Sequence, residues 1–100
     1  MADLTIQRND AEHRYEGWSG DQLAGLLDYT STETQIVFTH AETDPSFHGR
    51  GVASAVVRYA LDEVRADATR AVVPHCPFVS SWIDRHPDYQ SLLTAPTKGR

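Results

Sequence analysis

Apolar positions along this chain change period once, and the change separates a strand-rich first half from a helical middle. Leu4-Thr5-Ile6-Gln7-Arg8 and His13-Arg14-Tyr15-Glu16-Gly17-Trp18 are short runs that mix β-branched, aromatic and polar residues. Such runs read as strands. Asn9-Asp10 and Ser19-Gly20-Asp21 supply the turn chemistry around them. A third strand is predicted from Gln22 to Tyr29, a turn at Ser31-Thr32-Glu33, and a fourth strand from Gln35 to about Ala41. Its core, Gln35-Ile36-Val37-Phe38-Thr39-His40, is β-branched, aromatic and roughly alternating. Then the period lengthens. Ala53, Val56, Val57, Ala60, Leu61 and Val64 recur at helical spacing with Ser54, Arg58, Asp62 and Arg65 on the other side, so one amphipathic helix is predicted from about Arg50 to about Ala66. Arg70-Ala71-Val72-Val73-Pro74-His75 follows as a short buried strand. A crossover of this length makes the fourth and fifth strands neighbours in a right-handed arrangement. The pattern predicts an α+β domain with a mixed, mostly antiparallel twisted sheet and one strand-helix-strand unit. Tyr15, Trp18, Tyr29 and Phe38 are assigned to the sheet and its core.

The junction between fourth strand and helix carries the first chemical signal. In Thr43-Asp44-Pro45-Ser46-Phe47-His48-Gly49-Arg50-Gly51-Val52-Ala53 the strand passes through a turn into a helix start made of small residues. The first four N–H groups of a helix lack an intrahelical partner and lie at the positive end of its dipole. Gly49 and Gly51 leave these donors unobstructed, Ala53 lets the first turn pack closely, and Arg50 adds a permanent charge. A ligand with a pyrophosphate is the chemistry such a turn receives.

His48-Gly49-Arg50-Gly51-Val52-Ala53 resembles the Gln/Arg-x-x-Gly-x-Gly/Ala acetyl-CoA signature of GCN5-related N-acetyltransferases, with His48 where that family usually has Gln or Arg. Val73-Pro74-His75-Cys76-Pro77-Phe78-Val79 and Arg85-His86-Pro87-Asp88-Tyr89 are similar to the small single-domain branch of that superfamily. The resemblance spans roughly residues 4 to 93. It implies an acetyl-CoA-dependent N-acetyltransferase acting on an amine, either a protein lysine or a small amine. His48, Gly49, Arg50, Gly51, Val52 and Ala53 would hold coenzyme A, which would enter between the fourth and fifth strands where they splay apart. Larger members insert acceptor-binding helices between their first two strands, whereas this chain has only the Asn9-Asp10 turn there. The acceptor groove is then open, or completed by loops, the C-terminal segment or a second subunit in a homodimer. The same shortness keeps another reading open, a coenzyme A-binding module or interaction protein with little transferase activity.

Acetyl transfer requires an amine with a pKa near ~10.4 to lose its proton before attacking a thioester carbonyl, and the departing thiolate to accept a proton or leave unaided. His40 and Glu42 are the base candidates because both lie at the end of the fourth strand and, in a regular strand, share the face opposite Ala41. Cys76 follows directly on the fifth strand. Pro77 suits the first position of a helix, so Cys76 sits near a helix N-terminus, a place that favours thiolate. It is a candidate to protonate the leaving thiolate or to accept the acetyl group itself. A short C-terminal helix is predicted from Pro77, with Arg85-His86-Pro87 ending it and Tyr89 packing on the domain.

Length and charge narrow the picture further. One hundred residues make one domain, read as 1–94 with a flexible tail over 95–100. A formal charge of −5 argues against nucleic acid as a partner and suits cationic amines. No apolar run reaches membrane-spanning length and no signal-peptide pattern is present, so no membrane partner is expected. A single cysteine fits a reducing, cytoplasmic setting. The histidines and Cys76 lack compact ligand spacing, so no metal is expected.

Overall fold

A computed structural model describes residues 4–94, and the predicted tail from Ala95 lies outside them. Five strands form one sheet in the order β1-β2-β3-β4-β5: β1 Thr5–Asn9, β2 Arg14–Ser19, β3 Gln22–Ser31, β4 Gln35–Thr43 and β5 Ala71–Pro74. The first four pair antiparallel and β4 pairs β5 in parallel. Helix α1, Val52–Asp67, makes the crossover between β4 and β5. Helix α2, Pro77–Asp84, follows β5, and two 3₁₀ segments occupy Pro45–Phe47 and Pro87–Leu93. This is the predicted α+β architecture. β2 begins one residue later than its sequence suggests because His13 has a φ of 54°, a turn conformation that a strand cannot incorporate. Among the described residues no helix is long and apolar enough to cross a membrane.

The core lies between one face of the sheet and the helices. Val52, Val56, Val57, Ala60, Leu61 and Val64 of α1 are buried there, at the spacing the sequence shows. Gly17 and Gly25 stand opposite each other in register and let the first turns of α1 approach the sheet. A Cβ on Gly17 would lie 2.9 Å from Val56 Cγ2, and one on Gly25 2.8 Å from Val52 Cγ1. Helix α2 and the 3₁₀ segment after it pack beside α1: the Trp82 indole of α2 donates to the Ser54 hydroxyl at 2.8 Å, and Tyr89 of the 3₁₀ segment donates to Asp62 at 2.7 Å.

Two details of the sheet depart from simple alternation. Asp28 pairs with His40 but Tyr29 pairs with Phe38, so Thr39 is an extra residue in β4. This bulge reverses the phase of the strand. Ile36 and Phe38 are buried before it, while Ala41, and not His40, packs against the core after it. The second detail is Glu16, a carboxylate only 2% exposed on the sheet face away from α1. Arg14 donates to it at 2.7 Å, Trp18 and Asn9 each at 3.0 Å, and Gln7 at 3.3 Å. Burial opposes its ionisation, yet the bonds from Arg14, Trp18, Asn9 and Gln7 prevail and hold its carboxyl down to about 2.

Candidate functional site

The turn between β4 and α1 is held by its own backbone. Asp44 accepts from the Ser46 N–H at 2.8 Å through its side chain and from the Phe47 N–H at 2.8 Å through its carbonyl. His48 donates to Pro45 O and Arg50 to Phe47 O, each at 3.3 Å. Gly49 and Gly51 complete the path with φ of 77° and 75°, conformations that L side chains rarely adopt. Gly51 is the N-cap of α1 and offers no side chain to satisfy the helix. The helical ladder opens with Ala55 N donating to Gly51 O at 3.0 Å, so the N–H groups of Val52, Ala53 and Ser54 precede it. A Cβ built on Gly49 or Gly51 meets nothing within 4 Å. Uncapped donors beside two glycines with open space at their Cβ positions fit a diphosphate, and Arg50, lying over the Phe47 ring at 5.8 Å, adds charge. The structure therefore brings residues 48–53 together as one turn that ends in the uncapped start of α1.

Beside the turn lies a cleft of about 290 Å³, closed on its far wall by Phe78 and Arg85 of the α2 region. A larger cavity, about 480 Å³, sits at the opposite end of α1 around Glu63 and Asp67. Its Arg8 is already engaged by Glu63 at 2.8 Å and Asp10 at 2.7 Å. Tyr15 there is held protonated by burial and by its 2.7 Å bond to Glu63. Size alone does not make it the site, because its cations are spoken for and the turn does not reach it.

β4 and β5 part before β4 reaches the turn. Their pairing runs from Gln35 opposite Ala71 to Phe38 opposite Pro74. His75 N then bonds Val73 O and bends the chain away, and the last tie to β4 is Cys76 N to Phe38 O at 2.8 Å. From Ala41 to Thr43, β4 is bonded to β3 alone. The bulge at Thr39 leaves His40 and Glu42 exposed, by 53% and 64%, with His40 Nε2 and Glu42 Oε2 2.7 Å apart. The two base candidates thus form a pair.

Cys76 is the N-cap of α2, as its Pro77 implies, yet its side chain makes no capping bond and it is only 4% exposed. The structure puts it in the core cluster with Phe38 and Val79, so the accessible thiol expected from a helix terminus is here a buried one. Its backbone bond to Phe38 draws the residue in against the sheet. Phe78 and Arg85 are the residues that sequence reasoning passed over. Their separation, seven residues along one short helix, places them on one side of it and was the available signal. Among the described residues no three His, Cys, Asp or Glu side chains converge as a metal site.

Comparison with known proteins adds the family. The sequence profile of a family described as GCN5-related N-acetyl-transferase matches residues 14–92. No curated protein matches the chain. Among solved structures, a GCN5-like putative N-acetyltransferase from Staphylococcus aureus superposes with a TM-score of 0.70 at 16% identity, covering 92% of this chain and 89% of that one. The ribosomal-protein-S18-alanine N-acetyltransferase from Escherichia coli superposes with a TM-score of 0.62 at 9% identity, covering 72% of this chain. The chain spans about half of that enzyme's length, 49%. Both likenesses concern the fold.

Proposed function

This chain belongs to the GCN5-related N-acetyltransferase family, and from that membership and the geometry of its turn we propose that it is an acetyl-CoA-dependent N-acetyltransferase whose acceptor is a primary amine, on a protein lysine or a small molecule. The observation that carries the reading is the turn at residues 48–53, where positive-φ glycines lead into N–H groups that no side chain caps at the start of α1. These groups, with Arg50 and His48, would hold the pyrophosphate. The opening between β4 and Cys76 would take the pantetheine arm, leaving the thioester near His40. Acetyl-CoA supplies an activated acyl carbonyl.

The chain's own part is proton management. Glu42, bonded to Nε2 of His40, orients the imidazole, which leaves Nδ1 to accept the amine proton. A merely solvated ion pair would leave the rate alone. His40→Ala is therefore expected to lower the rate of acetyl transfer by roughly tenfold to a hundredfold while the dissociation constant for acetyl-CoA stays within a few-fold. Steady-state kinetics and calorimetry on the same preparation check it, and an unchanged rate with a proven acceptor would remove His40 from the mechanism.

Cys76 is assigned no acetyl-accepting step in this reading, because a thiol in the core is shielded from the acyl carbonyl, and the same burial lets the coenzyme thiolate leave without a proton from it. Acid quenching of the protein with acetyl-CoA, followed by intact-mass analysis, is expected to show no acetyl adduct. An adduct that vanishes in Cys76→Ser would establish the two-step route instead.

A second reading, a coenzyme A-binding module with little turnover, draws on the short β1–β2 connection, which provides no acceptor helices. The sheet face bearing His40 is then open to a macromolecular acceptor or to a second subunit. Binding without transfer to any amine offered would favour this reading.

A further inference from the structure

The cleft beside the turn has a second wall, and its chemistry differs from that of the first. One wall is backbone: Gly49, Gly51 and the N–H groups that open α1. The other is two side chains of the α2 region, Phe78 and Arg85. Phe78 keeps 36% of its surface exposed, one of three large apolar side chains so exposed among the described residues. Arg85 follows it by seven residues, two helical turns, or about 10 Å along the axis. The Arg85 backbone closes α2 as its C-cap. Its guanidinium is steadied by the Ser81 hydroxyl, to which Nη1 donates at 2.8 Å.

Arg85 also stands apart from most other cations of the protein. Arg8, Arg14 and Arg70 each pair with a carboxylate. Arg58 and Arg65 lie over the Tyr89 ring and bond to the phenol and to the Asp88 carbonyl. No carboxylate lies within ion-pair distance of Arg85 among the described residues, so a guanidinium that lines the cleft keeps most of its five donors beyond the one bond to Ser81. An aromatic face and an uncommitted guanidinium opposite a diphosphate-receptive turn match a nucleotide carrying a phosphate on its ribose in addition to its diphosphate.

Resting on the acetyl-CoA reading above, we propose that α2 reads the nucleotide end of coenzyme A: Phe78 packs against the adenine and Arg85 binds the ribose 3′-phosphate. The turn holds the pyrophosphate, which every form of the coenzyme shares. Arg85 discriminates coenzyme A from dephospho-coenzyme A, which lacks only the 3′-phosphate. A forked, charge-assisted bond to a phosphate is strong enough to give a preference of about tenfold or more.

The test is titration calorimetry of wild type, Arg85→Gln and Arg85→Lys with coenzyme A and with dephospho-coenzyme A. Wild type is expected to prefer coenzyme A by about tenfold or more. Arg85→Gln should lose that preference by weakening coenzyme A alone, leaving dephospho-coenzyme A within about twofold of wild type, and Arg85→Lys should fall between, since it keeps the charge and loses the fork. Equal weakening of both ligands in Arg85→Gln, or a preference that survives the substitution, overturns the assignment while leaving the coenzyme site intact. Failure of wild type to bind either ligand overturns the coenzyme reading itself, and this assignment with it.

Discussion

Replacing Gly51 by Glu is expected to weaken acetyl-CoA binding by at least about a hundredfold, a change of roughly 3 kcal/mol. The substitution acts through position and charge together. A Cβ at Gly51 meets nothing within 4 Å, so the new side chain is accommodated by the fold and projects into the space that an anion must occupy. Its carboxylate then competes for the positive end of α1 and repels phosphate. The protein should remain folded, since the φ of 75° costs a non-glycine residue only about 1–2 kcal/mol. Gly51→Ala separates the two effects. It carries the same backbone strain without the charge, and its affinity is expected to stay within about tenfold of wild type. Calorimetry on folded protein decides the matter: a Gly51→Glu variant that binds as tightly as wild type would mean that the coenzyme lies elsewhere.

Glu16→Gln should produce the largest loss of stability of any single isosteric change in the sheet. The carboxylate receives four donors, and an amide in its place turns one acceptor into a donor aimed at Arg14 and Asn9 or, flipped, at Gln7 and Trp18. In either orientation Arg14 is left charged and partly buried without its countercharge. The displacement of the carboxyl from 4.5 to about 2 corresponds to roughly 3 kcal/mol in favour of the folded state. In a domain of this size that lowers the melting temperature by about 10 °C or more. The sign of the pH dependence follows from a folded value below the unfolded one. Stability from Glu16 is fully present above 4.5 and is lost as the pH falls toward about 2. The gap between wild type and variant should therefore be constant near neutrality and close through that acid interval, as thermal melts followed by circular dichroism would record. A gap that is small at neutral pH would show that the network contributes little.

These two residues mark how differently the sequence speaks. The place of Gly51 at the head of α1 was legible because it is local: a glycine between a strand and an amphipathic run marks a turn, and the α1 periodicity that follows it fixes the frame. The strands and α1 were legible for the same reason, with ends differing by a few residues where turn geometry intervened, as at His13. Glu16 was not, since in a strand a charge reads as a solvent-facing residue. Its burial depends on Gln7 and Asn9 from β1 and on Trp18 two positions away. The bulge at Thr39 was hidden too, because an extra residue in a ladder is a property of two strands and leaves no mark on one. Without it, His40 would share the buried face of Ile36 and Phe38. Cys76 shows the limit from the other side. Its place at the head of α2 was evident from Pro77, but whether a terminal thiol points to solvent or core is decided by packing against Phe38 and Val79, which sequence does not contain.

Native mass spectrometry of the wild-type protein with acetyl-CoA tests the central claim most directly, because binding must precede any transfer and needs no knowledge of the acceptor. The account predicts a one-to-one complex with acetyl-CoA that survives desolvation and is missing from Gly51→Glu under the same conditions. A folded wild-type protein that stays unliganded at saturating acetyl-CoA would contradict it.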